Sequence, residues 1–231
     1  MYPSPFRDGV RWGAGRLEII IKMLEFRDIK KYYAQEPALH IAELMLDTGI
    51  YWIKGANGSG KTTLLKMAAA LLPFEGDIIF KGISLKHNAM EYRRHISWAE
   101  AEPLYPSFIT GKDLLTLYKK IRKAPDKEMN SWIDFFGMNE YIGNAVGTYS
   151  AGMVKKLSLA LAFTGNLPLI LLDEPLITLD AATLQLVSSL ILDKHKQNGT
   201  TFLLSSHQDA DTELFHNGKK ILIQHKSAVH I

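Results

Sequence analysis

The sequence contains no cysteine. That absence excludes disulfides, cysteine-ligated zinc and thiol catalysis, and it is compatible with a reducing compartment. No window supplies the roughly 20 uninterrupted apolar residues that a membrane-spanning helix needs. Lys54, Lys61, Asp173 and Glu174 interrupt the most apolar stretches. With a mean hydropathy of −0.03, the expectation is a soluble chain that serves a membrane only through a partner. A charge excess of one sign is also missing. Lys and Arg number 27 against 24 Asp and Glu, a net charge of +3 spread along the chain, so nucleic-acid binding is not implied. No internal repeat and no low-complexity segment is found.

What remains is an ordinary globular composition, 47% hydrophobic and 22% charged over 231 residues, enough to bury the core of one domain. Residues 1–22 stand apart, with Pro3, Pro5, Gly9, Gly13 and Gly15 among several charges and without the apolar core of a secretory signal. They are read as a flexible N-terminal extension, with Met23 a candidate start, and residues 23–231 as the folded domain. From Leu24 onward, short β-like runs alternate with longer helical ones, the rhythm of an α/β protein around a largely parallel sheet. Three runs read as buried strands: 49–54 before a glycine-rich loop, 169–172 before two acids, and 200–205 before a histidine. Open α/β sheets bind ligands at the carboxyl ends of their strands, so these three polar ends are expected to converge. Between about residues 103 and 160 the spacing of Leu114, Leu115, Tyr118, Ile121, Trp132, Ile133 and Phe136 predicts a helical lobe.

The glycine-rich loop is Gly55-Ala56-Asn57-Gly58-Ser59-Gly60-Lys61-Thr62. It fits the P-loop pattern and lies in the required context, between an apolar strand and a helix whose apolar face includes Leu64, Leu65, Ala68 and Leu72. Glycines let the backbone wrap around phosphate oxygens, so that successive N–H groups and the positive end of the helix point at the anion. Lys61 is set to neutralise the β- and γ-phosphates, and the Thr62 hydroxyl to ligate Mg²⁺ bridging them. At the second strand, Leu169-Ile170-Leu171-Leu172 delivers Asp173 and Glu174 before Pro175. This resembles a Walker B motif, with Asp173 on the metal side and Glu174 the candidate general base for an attacking water.

Tyr149-Ser150-Ala151-Gly152-Met153, upstream of those acids, narrows the resemblance to the ABC-type ATPase family, whose signature is usually Leu-Ser-Gly-Gly-Gln. Ser150 and Gly152 match; Tyr149, Ala151 and Met153 depart. Physically, Ser150 is a good N-cap for a helix running through Leu157 and Leu161 toward Gly165. Thr178-Leu179-Asp180 resembles the D-loop of that family, with Asp180 communicating across a dimer, and His207 resembles the switch histidine on the γ-phosphate. Tyr33 resembles the aromatic residue that stacks on adenine, with Tyr32 nearly as good a match, and Thr63 continues the ATP-binding segment. At the junction before the lobe, where the family usually has glutamine, the local match places Ala101, which has no side-chain oxygen to offer the metal unless Glu100 or Glu102 substitutes.

The resemblance extends from Leu24 to about Asp209. It implies a P-loop NTPase core with a largely parallel sheet, an N-terminal antiparallel β portion and a helical lobe. It also implies an ATPase using Mg²⁺, a head-to-tail dimer of ATPase subunits, and separate transmembrane permease subunits with the chain peripheral on the cytoplasmic face of the cell membrane. A second reading is a soluble ABC-type ATPase acting on ribosomes or DNA. Such proteins usually carry two ATPase units or a long coiled-coil insertion, and this chain shows neither a second P-loop nor sustained heptads.

Overall fold

The computed structural model describes residues 23–206 and 213–231; the expected N-terminal extension and His207 lie outside them. The chain opens with an antiparallel pair, β1 (Leu24–Tyr33) and β2 (Glu36–Leu46), followed by β3 (Ile50–Lys54) and α1 (Lys61–Ala68). Next come β4 (Glu75–Phe80), β5 (Ile83–Ser84), α2 (Ala89–Arg94) and β6 (Ile96–Ala99). Two helices follow, α3 (Gly111–Arg122) and α4 (Asp126–Phe135), then α5 (Ala151–Phe163). The remainder is β7 (Leu169–Leu172), α6 (Ala181–Asn198), β8 (Thr201–Ser205), α7 (Glu213–Asn217), β9 (Lys219–Gln224) and β10 (Ser227–His230).

The strands form two sheets. One is a six-stranded sheet of order β10-β9-β3-β8-β7-β6, in which every pairing except β10 with β9 is parallel. The other is an antiparallel sheet of order β2-β1-β4-β5. The three strands expected from the sequence, β3, β7 and β8, lie side by side within the six-stranded sheet and are buried along almost their whole length. A parallel sheet covered on both faces requires such runs.

The twofold alternation of strand side chains divides the core in two. Ile50, Trp52, Ile170, Leu172, Phe202 and Leu204 point to one side, where they join Leu115, Trp132 and Phe136 of the helical region and Val187 and Ile191 of α6. Tyr51, Ile53, Leu169, Leu171 and Leu203 point to the other, against α1 and the inner residues of the antiparallel sheet such as Phe26, Ile41 and Phe80. The parallel sheet is therefore the common wall of both cores.

The three longest helices, α3, α5 and α6, each begin at a side-chain cap. Thr110 and Asp113 exchange hydrogen bonds in a capping box at the start of α3, at 3.1 Å and 3.2 Å, which satisfies two backbone donors that would otherwise be orphaned. Asp180 caps α6 by accepting from the Thr183 N–H at 2.8 Å, and Gly199 ends that helix at φ 65°.

Arg122, the last residue of α3, ties the helical region to the sheet. Its guanidinium donates to the carbonyls of Leu161 (2.6 Å), Ala162 (3.3 Å) and Thr164 (2.8 Å) at the end of α5, and to Ser97 Oγ (2.9 Å) on β6. Burial lowers its pKa from the usual arginine value, yet the carbonyl end of a helix is a favourable place for a cation. Replacing Arg122 with Ala removes all four of these bonds from a largely buried site, so urea unfolding is expected to show a loss of about 2–4 kcal/mol. Arg122→Lys should recover only part of it, because an ammonium cannot span the same fork of acceptors.

Candidate nucleotide site

The loop between β3 and α1 is held in a closed shape by its own backbone demands. A Cβ at Gly55 would lie 2.4 Å from Ser59 Oγ and 2.7 Å from the Ile223 carbonyl, and Gly60 sits at φ 108°. Only glycine fits these two positions without displacing backbone. Lys61, the first residue of α1, is 7% exposed, and its ammonium donates to the carbonyls of Gly55 (2.8 Å) and Ala56 (3.1 Å). An ammonium carries three protons, so the one left over is available to an anion in front of the loop.

The acids of β7 meet this loop from the neighbouring part of the sheet. Asp173 is 2% exposed. Its Oδ2 accepts from Thr62 Oγ1 at 2.9 Å, its Oδ1 accepts from Ser205 Oγ at 2.5 Å, and its N–H donates to the Ala99 carbonyl at 2.9 Å. Ser205 Oγ also accepts the Glu174 N–H at 2.8 Å. One hydroxyl at the end of β8 thus fixes both acids at the end of β7. Glu174 adopts φ 46°, a left-handed conformation unfavourable for a side chain with a Cβ, and such outliers concentrate at functional sites.

In front of these groups lies a cavity of about 590 Å³, within the range of small-molecule sites. Asn57, Gly58, Ser59, Gly60, Lys61, Thr62 and Thr63 line it, together with Glu174 and Tyr33. Tyr33 is half exposed and its hydroxyl lies 3.3 Å from Thr63 Oγ1. Tyr32 is not among the lining residues. Ser59 Oγ is buried without a hydrogen-bond partner among the described residues, an orphan of the kind that a ligand oxygen satisfies.

The donor set suits one hard cation completed by ligand oxygens. Thr62 and Asp173 converge two oxygens from different elements, while no group of three or more His, Cys, Asp or Glu among the described residues forms a metal cage. Mg²⁺ is commonly held in that way, by one or two protein oxygens plus substrate phosphates.

Ser150, Ala151 and Gly152 open α5 and are not among the described residues that line this cavity. Ser150 Oγ accepts the Met153 N–H at 3.3 Å, and the Met153 sulfur accepts the Ser150 N–H at 3.4 Å. The thioether occupies the place that Glu or Gln has in a capping box, which gives the departure from glutamine a local physical account. A smaller cleft of about 230 Å³ is lined by Ser150, Gly152 and Met153 with Thr178 and Asp180. No described residue lines both clefts; the segment from Glu174 to Asp180 runs from one to the other. Asp180 is bonded by the Thr183 backbone and hydroxyl and paired with Lys156 at 3.2 Å, and these contacts hold its carboxyl well below the usual range.

Two groups at the site were not singled out from the sequence. Ser205 is one; its only signal was a polar residue ending a buried strand. Lys155 is the other, 1% exposed inside α5, with its ammonium on the carbonyls of Glu100 (3.1 Å), Ala101 (3.0 Å) and Asp173 (3.2 Å). Burial lowers its pKa to about 8, against the raising influence of Asp173, Glu174 and Glu102. The signal was a lysine in register with Leu159 and Ala162, on the buried side of its helix. At the junction itself, Glu100 pairs with Lys66 at 3.2 Å, and neither Glu100 nor Ala101 lines the nucleotide cavity.

The family model described as ABC transporter matches residues 43–177, a span that takes in the loop, Ser150–Met153 and the two acids. The chain belongs to the ABC transporter family. Its domain is the ATP-binding ATPase domain of that family. Among its relatives is the ABC transporter ATP-binding protein YtrB of Bacillus subtilis, 31% identical over 196 residues, which cover 83% of this chain and 65% of YtrB. Another is the ATP-binding cassette sub-family A member 17 of mouse, 26% identical over 219 residues, 90% of this chain but 13% of that protein. The chain thus spans only part of these relatives. The fold agrees with a solved structure titled as an ATP-binding subunit of an ABC transporter, with a TM-score of 0.80, 21% identity and 90% of each chain covered. Tyr33 and Asp180 of this ABC domain lie outside the matched span.

Proposed function

We propose that the chain binds and hydrolyses ATP as a subunit of an ABC transporter, driving separate transmembrane permease subunits from the cytoplasmic face of the cell membrane. The observation that carries the reading is Asp173, whose two carboxylate oxygens join Thr62 of the loop to Ser205 of β8. That contact unites residues 111 positions apart in the sequence and aligns the phosphate loop with the acid pair.

In this reading the loop N–H groups and Lys61 hold the phosphates, and Tyr33 stacks on the base. Thr62 and Asp173 hold Mg²⁺, which when bound neutralises charge on the β- and γ-oxygens. Glu174 takes a proton from the attacking water, with its backbone fixed by Ser205. Such catalysis consists of positioning and charge stabilisation around an in-line displacement.

His207 is assigned to the γ-phosphate from sequence alone. Separation of the Ser150–Gly152 cleft from the loop within one chain supports a head-to-tail dimer, in which this segment covers the ATP of the second copy and Asp180 sits near the junction. Leu71 and Leu104, 54% and 90% exposed beside the cleft between sheet and helical region, favour a permease docked there. No helix among the described residues is long and apolar enough to cross a membrane, so the spanning part would belong to the partner.

The test is affinity purification of the tagged chain from membranes, followed by an ATPase assay with and without Mg²⁺. Recovery of a hydrophobic multi-span protein with Mg²⁺-dependent turnover is the expected result. Recovery with ribosomes or DNA and no membrane protein would overturn the transport role.

A further inference from the structure

The nucleotide cavity has a second wall that no part of the loop or acid motifs supplies. His225 and Lys226 line it, contributed by the turn between β9 and β10 at the far end of the sequence. The hairpin pairs Gln224 with Ser227, so these two residues form the entire connection. Both have positive φ, 51° and 64°. Two-residue turns of that shape strongly favour Asn-Gly, because both central residues must be left-handed. Here a histidine and a lysine occupy the positions instead.

The turn is also fixed in place. The Lys226 carbonyl accepts the His40 N–H of β2 at 2.7 Å, and the Ile223 carbonyl abuts Gly55 so closely that a Cβ there would be 2.7 Å away. The hairpin is therefore braced between the antiparallel sheet and the phosphate loop. Both side chains are exposed, and neither has an acidic partner among the described residues. Glu174 is the sole acid among the described residues lining the cavity. A histidine and a lysine at the edge of an anion pocket, in a backbone shape that favours glycine, are placed to meet an anionic ligand.

We infer that the His225–Lys226 turn is a nucleotide-binding element of this chain, contacting the anionic triphosphate from outside the phosphate loop. The inference rests on the ATP-binding reading of the cavity and extends it to a segment that the sequence motifs do not reach.

The experiment compares the native chain with H225N/K226G and with K226Q, using calorimetric titration with ATP, ADP and adenosine. The double variant installs the favoured turn sequence, so its thermal midpoint is expected to rise while ATP affinity falls about three- to tenfold. K226Q, which keeps the backbone, is expected to weaken ATP by a few-fold, ADP less, and adenosine not at all. ATP affinity within about twofold of native in both variants, or an equal loss for adenosine, would overturn the inference. Failure of the native chain to bind ATP would instead refute the underlying reading of the cavity.

Discussion

Glu174→Gln is expected to bind ATP as tightly as the native chain while hydrolysis falls by about 10²–10⁴-fold, the usual contribution of a positioned general base. The substitution keeps shape and volume, so the left-handed backbone at φ 46° and the Ser205 hydrogen bond to the Glu174 N–H survive. What is lost is the ability to accept a proton. Single-turnover hydrolysis and equilibrium binding, measured on the same preparation with its membrane partner, separate the two effects. Unchanged turnover would remove Glu174 from the role of base, and lost binding would make it a structural residue instead.

For Lys61→Ala the expectation is the opposite division: affinity for ATP weakens by about 10–100-fold, while the fold persists. A charge-assisted hydrogen bond to a phosphate is worth about 1.5–3 kcal/mol, which sets that range. The side chain is 7% exposed and, among the described residues, is bonded to the Gly55 and Ala56 carbonyls. Gly55 is half-buried and Ala56 exposed, so water replaces the ammonium at the two carbonyls it leaves. The thermal midpoint without nucleotide should therefore change little, and the stabilisation that added ATP brings should shrink. Binding by the variant equal to that of the native chain would contradict the role of Lys61.

The motif residues were legible because each depends on local chemistry. The P-loop pattern needs glycines at Gly55 and Gly60 for backbone reasons that hold wherever the loop occurs. The acids 173 and 174 follow an apolar run that only a buried strand accommodates. The helix at Ser150 was also foreseen, although α5 ends at Phe163, short of the expected Gly165. Thr164 leaves the helix in an extended conformation, and its hydroxyl accounts for the Ala160 carbonyl at 2.8 Å.

Other features depended on contacts that no local pattern encodes. The sequence ranks Tyr33 only slightly ahead of Tyr32. The pairing of β1 with β2 shifts register between Lys31 and Tyr32, and a one-residue shift exchanges the faces of a strand. The structure places Tyr33 at the cavity. Likewise Lys155 and Ser205 were passed over because their partners, the Ala101 carbonyl and the Asp173 carboxylate, are 54 and 32 residues away.

By itself, then, the sequence determined that a phosphate loop, an acid pair and a signature-like cap stand in the order of one ATPase family, because glycine torsions, strand burial and helix capping act within a few residues. Tertiary structure alone decided which side chains meet. It joined Thr62 to Asp173, aligned both acids on Ser205, separated the Ser150 cleft from the loop, and carried the His225–Lys226 turn to the cavity. Those contacts follow from parallel pairing of β3 with β8 and β9, a nonlocal arrangement whose register is set by packing on both faces of the sheet.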